Sequence, residues 1–263
     1  MQNYIYHYCH RKYVITMLKK RKNVFLKKDK LVLLACDQGL EHGPDDFNEK
    51  NIDPKFIVDI ATYGKYDGLI LHHGLAEKYY NGKVPLILKI NGKTSFSKDD
   101  PYSPIVFSPR EAYKLGASAI GLTIYVGSKH EGRCFQDAHR VIREARKYGL
   151  AVIGWMYPRG QYVKDPDNYK TIAYAARVGL ELGFDYVKLR EPKQLKELPW
   201  ITKCAGKTKV LMAGGAKMQN NKLVEYLKFA RESGVTGLAI GRNVWQDPNP
   251  LEITQTIKDN FLL

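Results

Sequence analysis

Eight short apolar runs punctuate this chain, and they restrict its fold more than any other feature. They are Leu31–Cys36, Gly68–His72, Val84–Ile90, Ala119–Val126, Leu150–Met156, Tyr186–Leu189, Lys209–Met212 and Gly237–Ile240. They are Leu-rich or β-branched and do not alternate strictly with polar residues. That is the pattern of parallel strands buried on both faces. Most of the intervening stretches are amphipathic, among them Pro54–Tyr63, Pro109–Leu115, Cys134–Tyr148, Asn168–Leu182, Asn221–Ser233 and Leu251–Asp259. Strands and helices in alternation predict a (β/α)8 TIM barrel, and 263 residues is a common length for one. A doubly wound open sheet is the alternative. The weakest link follows Ile90, because Asn91–Pro104 is polar and carries little helical signal. No low-complexity linker divides the chain, so residues 31–263 are read as one domain.

Residues 1–30 form a basic extension ahead of the first strand. They carry Arg11, Lys12, Lys19, Lys20, Arg21, Lys22, Lys27, Lys28 and Lys30 against Asp29 alone. Tyr4, Ile5, Tyr8, Tyr13, Val14 and Met17 could make one apolar face, which predicts a helix packed on the barrel. The whole chain has a formal charge of +15, which favours anionic partners: phosphorylated metabolites, an acidic membrane surface or nucleic acid. Cys9, Cys36, Cys134 and Cys204 form no CxxC pair, and Cys36 closes an apolar run. This suits a reducing compartment. No apolar stretch approaches the roughly 20 residues that span a bilayer. The reading is a cytoplasmic protein with no membrane partner.

Barrel enzymes carry their chemistry at the C-terminal ends of strands and in the loops that follow. The first end reads Asp37-Gln38-Gly39-Leu40-Glu41-His42-Gly43-Pro44-Asp45-Asp46. Asp37 leaves the strand directly, and a Gly-rich turn can bring His42 back over the barrel. Turn and cap roles are the structural alternatives for both. The second end holds His72-His73, but neighbours on a strand face opposite ways and cannot readily chelate one ion. No metal or cofactor is expected. The fifth run continues through Trp155, Tyr157 and Arg159, which alternate onto one face.

The seventh and eighth ends read Ala213-Gly214-Gly215-Ala216-Lys217 and Gly241-Arg242-Asn243. Glycines let backbone N–H groups approach phosphate oxygens, and an arginine adds a fork of donors. Two such loops at successive strand ends match the usual phosphate site of barrels.

Lys188 lies near the end of the sixth run. Desolvation disfavours a buried ammonium, so either a salt bridge or a role as an amine nucleophile would account for it. Pattern alone leaves both open. Arg190 follows on the same face, and a nearby cation would lower the lysine pKa toward that of a Schiff-base nucleophile.

Together these segments resemble the archaeal-type class I fructose-bisphosphate aldolases. The resemblance rests on Asp37–Pro44, Ala76–Tyr80 with Val84–Lys89, Gly116–Ala119, Trp155–Gly160, Lys188, Gly214–Lys217 and Gly241–Gln246. It runs in order from about residue 30 to the C-terminus. It implies a (β/α)8 barrel, often in homo-oligomers, acting on a phosphorylated sugar without a metal. By resemblance, Lys188 forms the Schiff base and Tyr157 donates and accepts the proton. Asp37 and His42 hold substrate hydroxyls or assist proton transfer. Gln38, Asp46, Trp155, Arg159 and Arg190 line the substrate pocket. Ala213, Gly214, Gly215, Gly241 and Arg242 hold one phosphate. Gln38, Arg190, Ala213 and the Glu191-Pro192-Lys193 turn depart from the family pattern, which bears on substrate preference. Two other readings remain. One is a related lysine-dependent transaldol-type or thiolase-like enzyme acting on another phosphorylated ketose. The other is a non-catalytic phosphate- or nucleic-acid-binding protein, although nucleic acid is the weaker partner.

Overall fold

The structure, a computed structural model, describes residues 28–263. The helix expected in residues 1–30 falls almost wholly on residues outside those described. Eight parallel strands close into a barrel in sequence order. They are β1 (Leu31–Cys36), β2 (Gly68–His72), β3 (Leu86–Lys89), β4 (Ala119–Val126), β5 (Ala151–Pro158), β6 (Tyr186–Leu189), β7 (Lys209–Ala213) and β8 (Gly237–Ile240). The main outer helices are α1 (Pro54–Tyr63), α2 (His73–Tyr79), α3 (Pro109–Lys114), α4 (Glu131–Lys147), α5 (Tyr169–Leu182), α6 (Leu198–Cys204), α7 (Asn220–Glu232) and α8 (Pro250–Phe261). The barrel expectation holds, and the open sheet is excluded because β1 pairs with both β2 and β8.

Two strand limits differ from the sequence reading by two residues, each for a local reason. β3 starts at Leu86 and not at Val84, directly after Pro85, which has no N–H to give the ladder. β5 runs two residues past Met156, because β4 continues beside it and pairs Tyr125 with Tyr157 and Val126 with Pro158.

Alternation along each strand sorts the core into two layers. Leu31, Leu33 and Ala35 point into the barrel, where they meet Ile70, Ile87, Ile153, Tyr186 and Leu211. Val32, Leu34 and Cys36 face the helices. Fully burying each such aliphatic side chain contributes about 1.5–3 kcal/mol. The interior is therefore packed solid at its lower end, and only the C-terminal rim is open to polar side chains. Helix starts are fixed locally. Ser108 and Glu111 form a reciprocal capping box at α3, with Ser108 N–H donating to Glu111 Oε2 at 2.7 Å.

The stretch after β3 is irregular, as its composition implies. Its connection to the barrel is Asn91, whose Nδ2 donates to the carbonyls of Ser103 (3.1 Å) and Thr123 (2.9 Å), while its Oδ1 accepts from Thr123 N–H at 2.8 Å. The loop is thus stitched to β4 by a buried amide.

Candidate active site

The C-terminal rim encloses a cavity of about 910 Å³. Asp37, Gln38, His42, Trp155, Tyr157, Arg159, Lys188, Arg190, Ala213, Gly214, Gly215, Gly241 and Arg242 all line it. Asp46 lies just behind this wall, held to two of its members.

Lys188 is 6% exposed and its Nζ stands 4.0 Å from Asp37 Oδ1. It makes no hydrogen bond among the described residues, and its nearest broad contact is the Trp155 ring, 4.8 Å from Nζ to the centroid. Burial lowers its pKa, Asp37 and Glu41 oppose that, and Arg242 adds to the lowering. The neighbouring cation expected from the sequence was Arg190, and this is corrected. Arg190 turns its guanidinium to Asp167 at 3.1 Å, and Arg242 from the end of β8 takes the electrostatic role. The reason is geometric. The chain leaves β6 after Leu189, so Arg190 is already in the loop, where a carboxylate meets it.

Asp37 is buried. Burial alone would raise its pKa, but the Lys188 and Lys89 ammoniums, with His72, hold it below the ordinary carboxylate value. Tyr157 projects from β5 into the same space. Burial raises its pKa, and the anions Asp37 and Glu41 raise it further, so the phenol keeps its proton.

His42 and Asp46 form a pair across the turn after β1, with Nδ1 2.7 Å from Oδ2. The other oxygen of Asp46 faces Arg242 Nη1 at 3.5 Å, and Gln246 Nε2 donates to the Asp46 carbonyl at 2.7 Å. One carboxylate therefore ties the β1 turn to the β8 end. Arg159 Nη1 faces Glu41 Oε1 at 3.5 Å, which links the β5 end to the same turn.

At the β7 loop the glycines divide the work. Gly214 N–H donates to Ala239 C=O at 3.2 Å, so this amide is engaged with β8. Gly214 serves instead through its missing side chain, since a Cβ would meet Ile240 Cγ1 at 2.5 Å. Gly215 adopts φ +60°, a left-handed conformation that favours glycine. The amides of Gly215 and Ala216 make no hydrogen bond among the described residues and are the donors left for an anion.

Sequence reasoning missed four residues of this site. Lys89 on β3 lies in the cavity wall, 4% exposed. Like Lys188, it is a lysine in an apolar run. His72 also lines the cavity, with its pKa pushed down to about 4 by burial first and Lys89 second. His73 stacks on Phe107 with centroids 4.2 Å apart, so the adjacent histidines do diverge. Glu41 was part of the motif but was given no role. Buried Asn243 donates from Nδ2 to Gly214 C=O (2.6 Å) and Ala216 C=O (3.0 Å), and its Oδ1 accepts from Met218 N–H at 2.7 Å. Asn243 thus shapes the β7 loop from the β8 side, a link that only the fold reveals.

The chemical capacity is clear. An amine without a hydrogen bond among the described residues lies 4.0 Å from a carboxylate, in one cavity with a protonated phenol, an arginine and the β7-loop amides.

Comparison with known proteins agrees. The class 1 fructose-bisphosphate aldolase of Thermoproteus tenax is 41% identical over 246 residues, covering 92% of this chain and 94% of that protein. The fructose-bisphosphate aldolase/6-deoxy-5-ketofructose 1-phosphate synthase of Methanocaldococcus jannaschii is 36% identical, covering 89% of this chain and 84% of that protein. A solved archaeal fructose-1,6-bisphosphate aldolase, with its catalytic lysine covalently bound to the carbinolamine intermediate of the substrate, superposes with a TM-score of 0.88. It is 40% identical, and the match covers 93% of this chain and 99% of that chain. The DeoC/LacD family aldolase model matches residues 31–247, and the chain belongs to that family.

Proposed function

We propose that this chain is a class I, Schiff-base fructose-1,6-bisphosphate aldolase, with Lys188 as the amine. The observation that carries the assignment of Lys188 is its position. It is a buried lysine at the barrel rim with no hydrogen bond among the described residues, 4.0 Å from Asp37, in the cavity that the β7 and β8 loops also line.

Neutral Lys188 attacks the C2 ketone to give a carbinolamine, and loss of water gives the iminium. The C4 hydroxyl proton passes to solvent as C3–C4 breaks. The bonding pair moves into the iminium as an enamine, and glyceraldehyde 3-phosphate departs. Tyr157, kept protonated, supplies a proton to C3, and hydrolysis frees dihydroxyacetone phosphate and the amine. Asp37 is the ionised group placed to assist proton movements at the carbinolamine. Arg242 with the Gly215 and Ala216 amides binds one phosphate, and that remote binding aligns ketone and amine. Gln38, His42, Asp46, Trp155, Arg159 and Arg190 form the rest of the substrate wall in this reading.

The proposal extends to a cytoplasmic homo-oligomer. The thiols of Cys36, Cys134 and Cys204 are free, as a reducing compartment requires. Tyr174 on α5 and Trp200 on α6 leave exposed apolar surface. Among the described residues no helix is long and apolar enough to cross a membrane.

The test is borohydride reduction with dihydroxyacetone phosphate, followed by peptide mass spectrometry, beside a cleavage assay with and without chelator. An adduct on Lys188 with chelator-resistant cleavage is expected. No adduct, with cleavage abolished by chelator, would sink the reading.

A further inference from the structure

Two lysines point into this barrel rim, and they are held very differently. Lys188 Nζ has no hydrogen bond among the described residues. Lys89 Nζ donates to Asn91 C=O at 2.7 Å and to Asn91 Oδ1 at 2.9 Å. Asn91 is itself immobilised by Ser103 and Thr123. Both amines lie over the same Trp155 ring, at 4.8 Å for Lys188 and 5.5 Å for Lys89. Two short, fixed acceptors favour the ammonium and hold Nζ toward Asn91. Lys188, with no such bonds among the described residues, is the amine left to act as nucleophile.

Charge counting gives Lys89 its role. The groups facing Asp37 are Lys188 from β6, Lys89 from β3 and His72 from β2. Glu41, from the turn after β1, acts on both lysines, and Arg242 acts on Lys188 from the end of β8. His72 is uncharged at neutral pH, with its pKa near 4. Asp37 thus has two cationic neighbours, and Lys188 must lose its charge to attack. While Lys188 is a neutral amine or a carbinolamine, Lys89 is the one cation left among the groups that face Asp37.

We propose that Lys89 is a positioning residue that keeps Asp37 ionised during the stage in which Lys188 is uncharged, so that Asp37 can act as a base there. This rests on the Schiff-base reading of Lys188. Burial lowers the pKa of Lys89 to about 8, with Asp37 and Glu41 opposing the drop, so it remains largely charged at neutral pH.

The experiment compares wild type with Lys89→Gln, Lys89→Arg and Asn91→Ala, reading kcat/KM for fructose 1,6-bisphosphate against pH, with thermal melts as a check on folding. In Lys89→Gln the acidic limb is expected to move up by about one unit or more, because an opposite charge near a carboxylate is worth that much. At pH values on the acidic limb, below the wild-type midpoint, cleavage then falls about tenfold or more. The borohydride adduct on Lys188 persists, and Lys89→Arg restores the limb. A purely structural Lys89 would give Lys89→Gln and Asn91→Ala the same loss of rate with the limb unmoved, and that result overturns the proposal. So does a borohydride adduct on Lys89. A second reading is independent of any Lys89 variant. In Lys188→Met, infrared difference against Lys188→Met/Asp37→Asn should show Asp37 as carboxylate at pH 7. A protonated carboxyl there refutes the proposal. Absence of any adduct in wild type would instead strike the Schiff-base reading.

Discussion

Gly121 on β4 leaves the space that the Trp155 indole of β5 occupies: a Cβ on Gly121 would lie 1.9 Å from Trp155 Cζ3. The indole cannot sit where it does beside any other residue. Because that ring backs both Lys188 and Lys89, a missing side chain on one strand sets the position of the amines on two others. Gly121→Ala forces the indole to shift. It should destabilise the fold by about 1–3 kcal/mol, the usual cost of overpacking, and lower cleavage at least tenfold. Thermal melts and steady-state kinetics check this. Wild-type rates would mean that the indole does not hold Lys188.

The reactivity of Lys188 should track its deprotonation. Its folded pKa lies below the ordinary lysine value of 10.5, chiefly through burial. The amine therefore becomes nucleophilic as pH rises through that lowered value. The initial rate of borohydride-trappable adduct formation should rise with pH and level off well before 10.5. A rate still climbing at pH 10 would show an ordinary, solvated lysine.

Tyr157→Phe separates iminium formation from proton transfer. The phenol is held protonated by burial and by the Asp37 and Glu41 anions, so its task is to donate. Loss of one positioned acid typically costs about 10²–10⁴ in rate. Adduct formation with dihydroxyacetone phosphate should persist, while exchange of its C3 proton with solvent and cleavage of fructose 1,6-bisphosphate both fall by that factor. Equal loss of trapping and exchange would assign Tyr157 to an earlier step.

Asn243→Ala should act on binding. It removes two donors from the carbonyls of Gly214 and Ala216 and the acceptor from Met218 N–H. Leaving such buried groups unpaired costs about 1–3 kcal/mol, and the loop that presents the Gly215 and Ala216 amides loses its shape. KM for the bisphosphate should rise at least fivefold, with kcat within threefold of wild type. A change confined to kcat would place the loop away from the phosphate.

Legibility in the sequence followed locality. Strand positions and most helices could be read because burial on both faces makes a continuous apolar run and burial on one face makes a helical period. Lys188, Tyr157 and the β7 and β8 loops were legible as chemistry-bearing residues at the ends of those runs. Arg190 misled because two residues along a strand share a face only while the strand lasts, and β6 ends at Leu189. Gly214 was singled out for its amide, which the structure engages with Ala239. Lys89, Asn91 and Asn243 act through partners up to 32 residues away in the chain, and no periodicity reports such pairs.

The sequence alone determined eight buried strands alternating with helices, and the strand ends at which polar side chains gather, because those follow from pattern. Closure into a barrel, rather than an open sheet, was decided by the pairing of β1 with β8. Only the tertiary structure decided which charges meet. Closure brings β1, β3, β5, β6 and β8 around one space. There Asp37 meets the charges of two lysines: Lys188, with no hydrogen bond among the described residues, and Lys89, tied to Asn91. Electrostatic energy depends on distance through that enclosed space, and distance between strands is set by packing, with Gly121 and Trp155 as its clearest example.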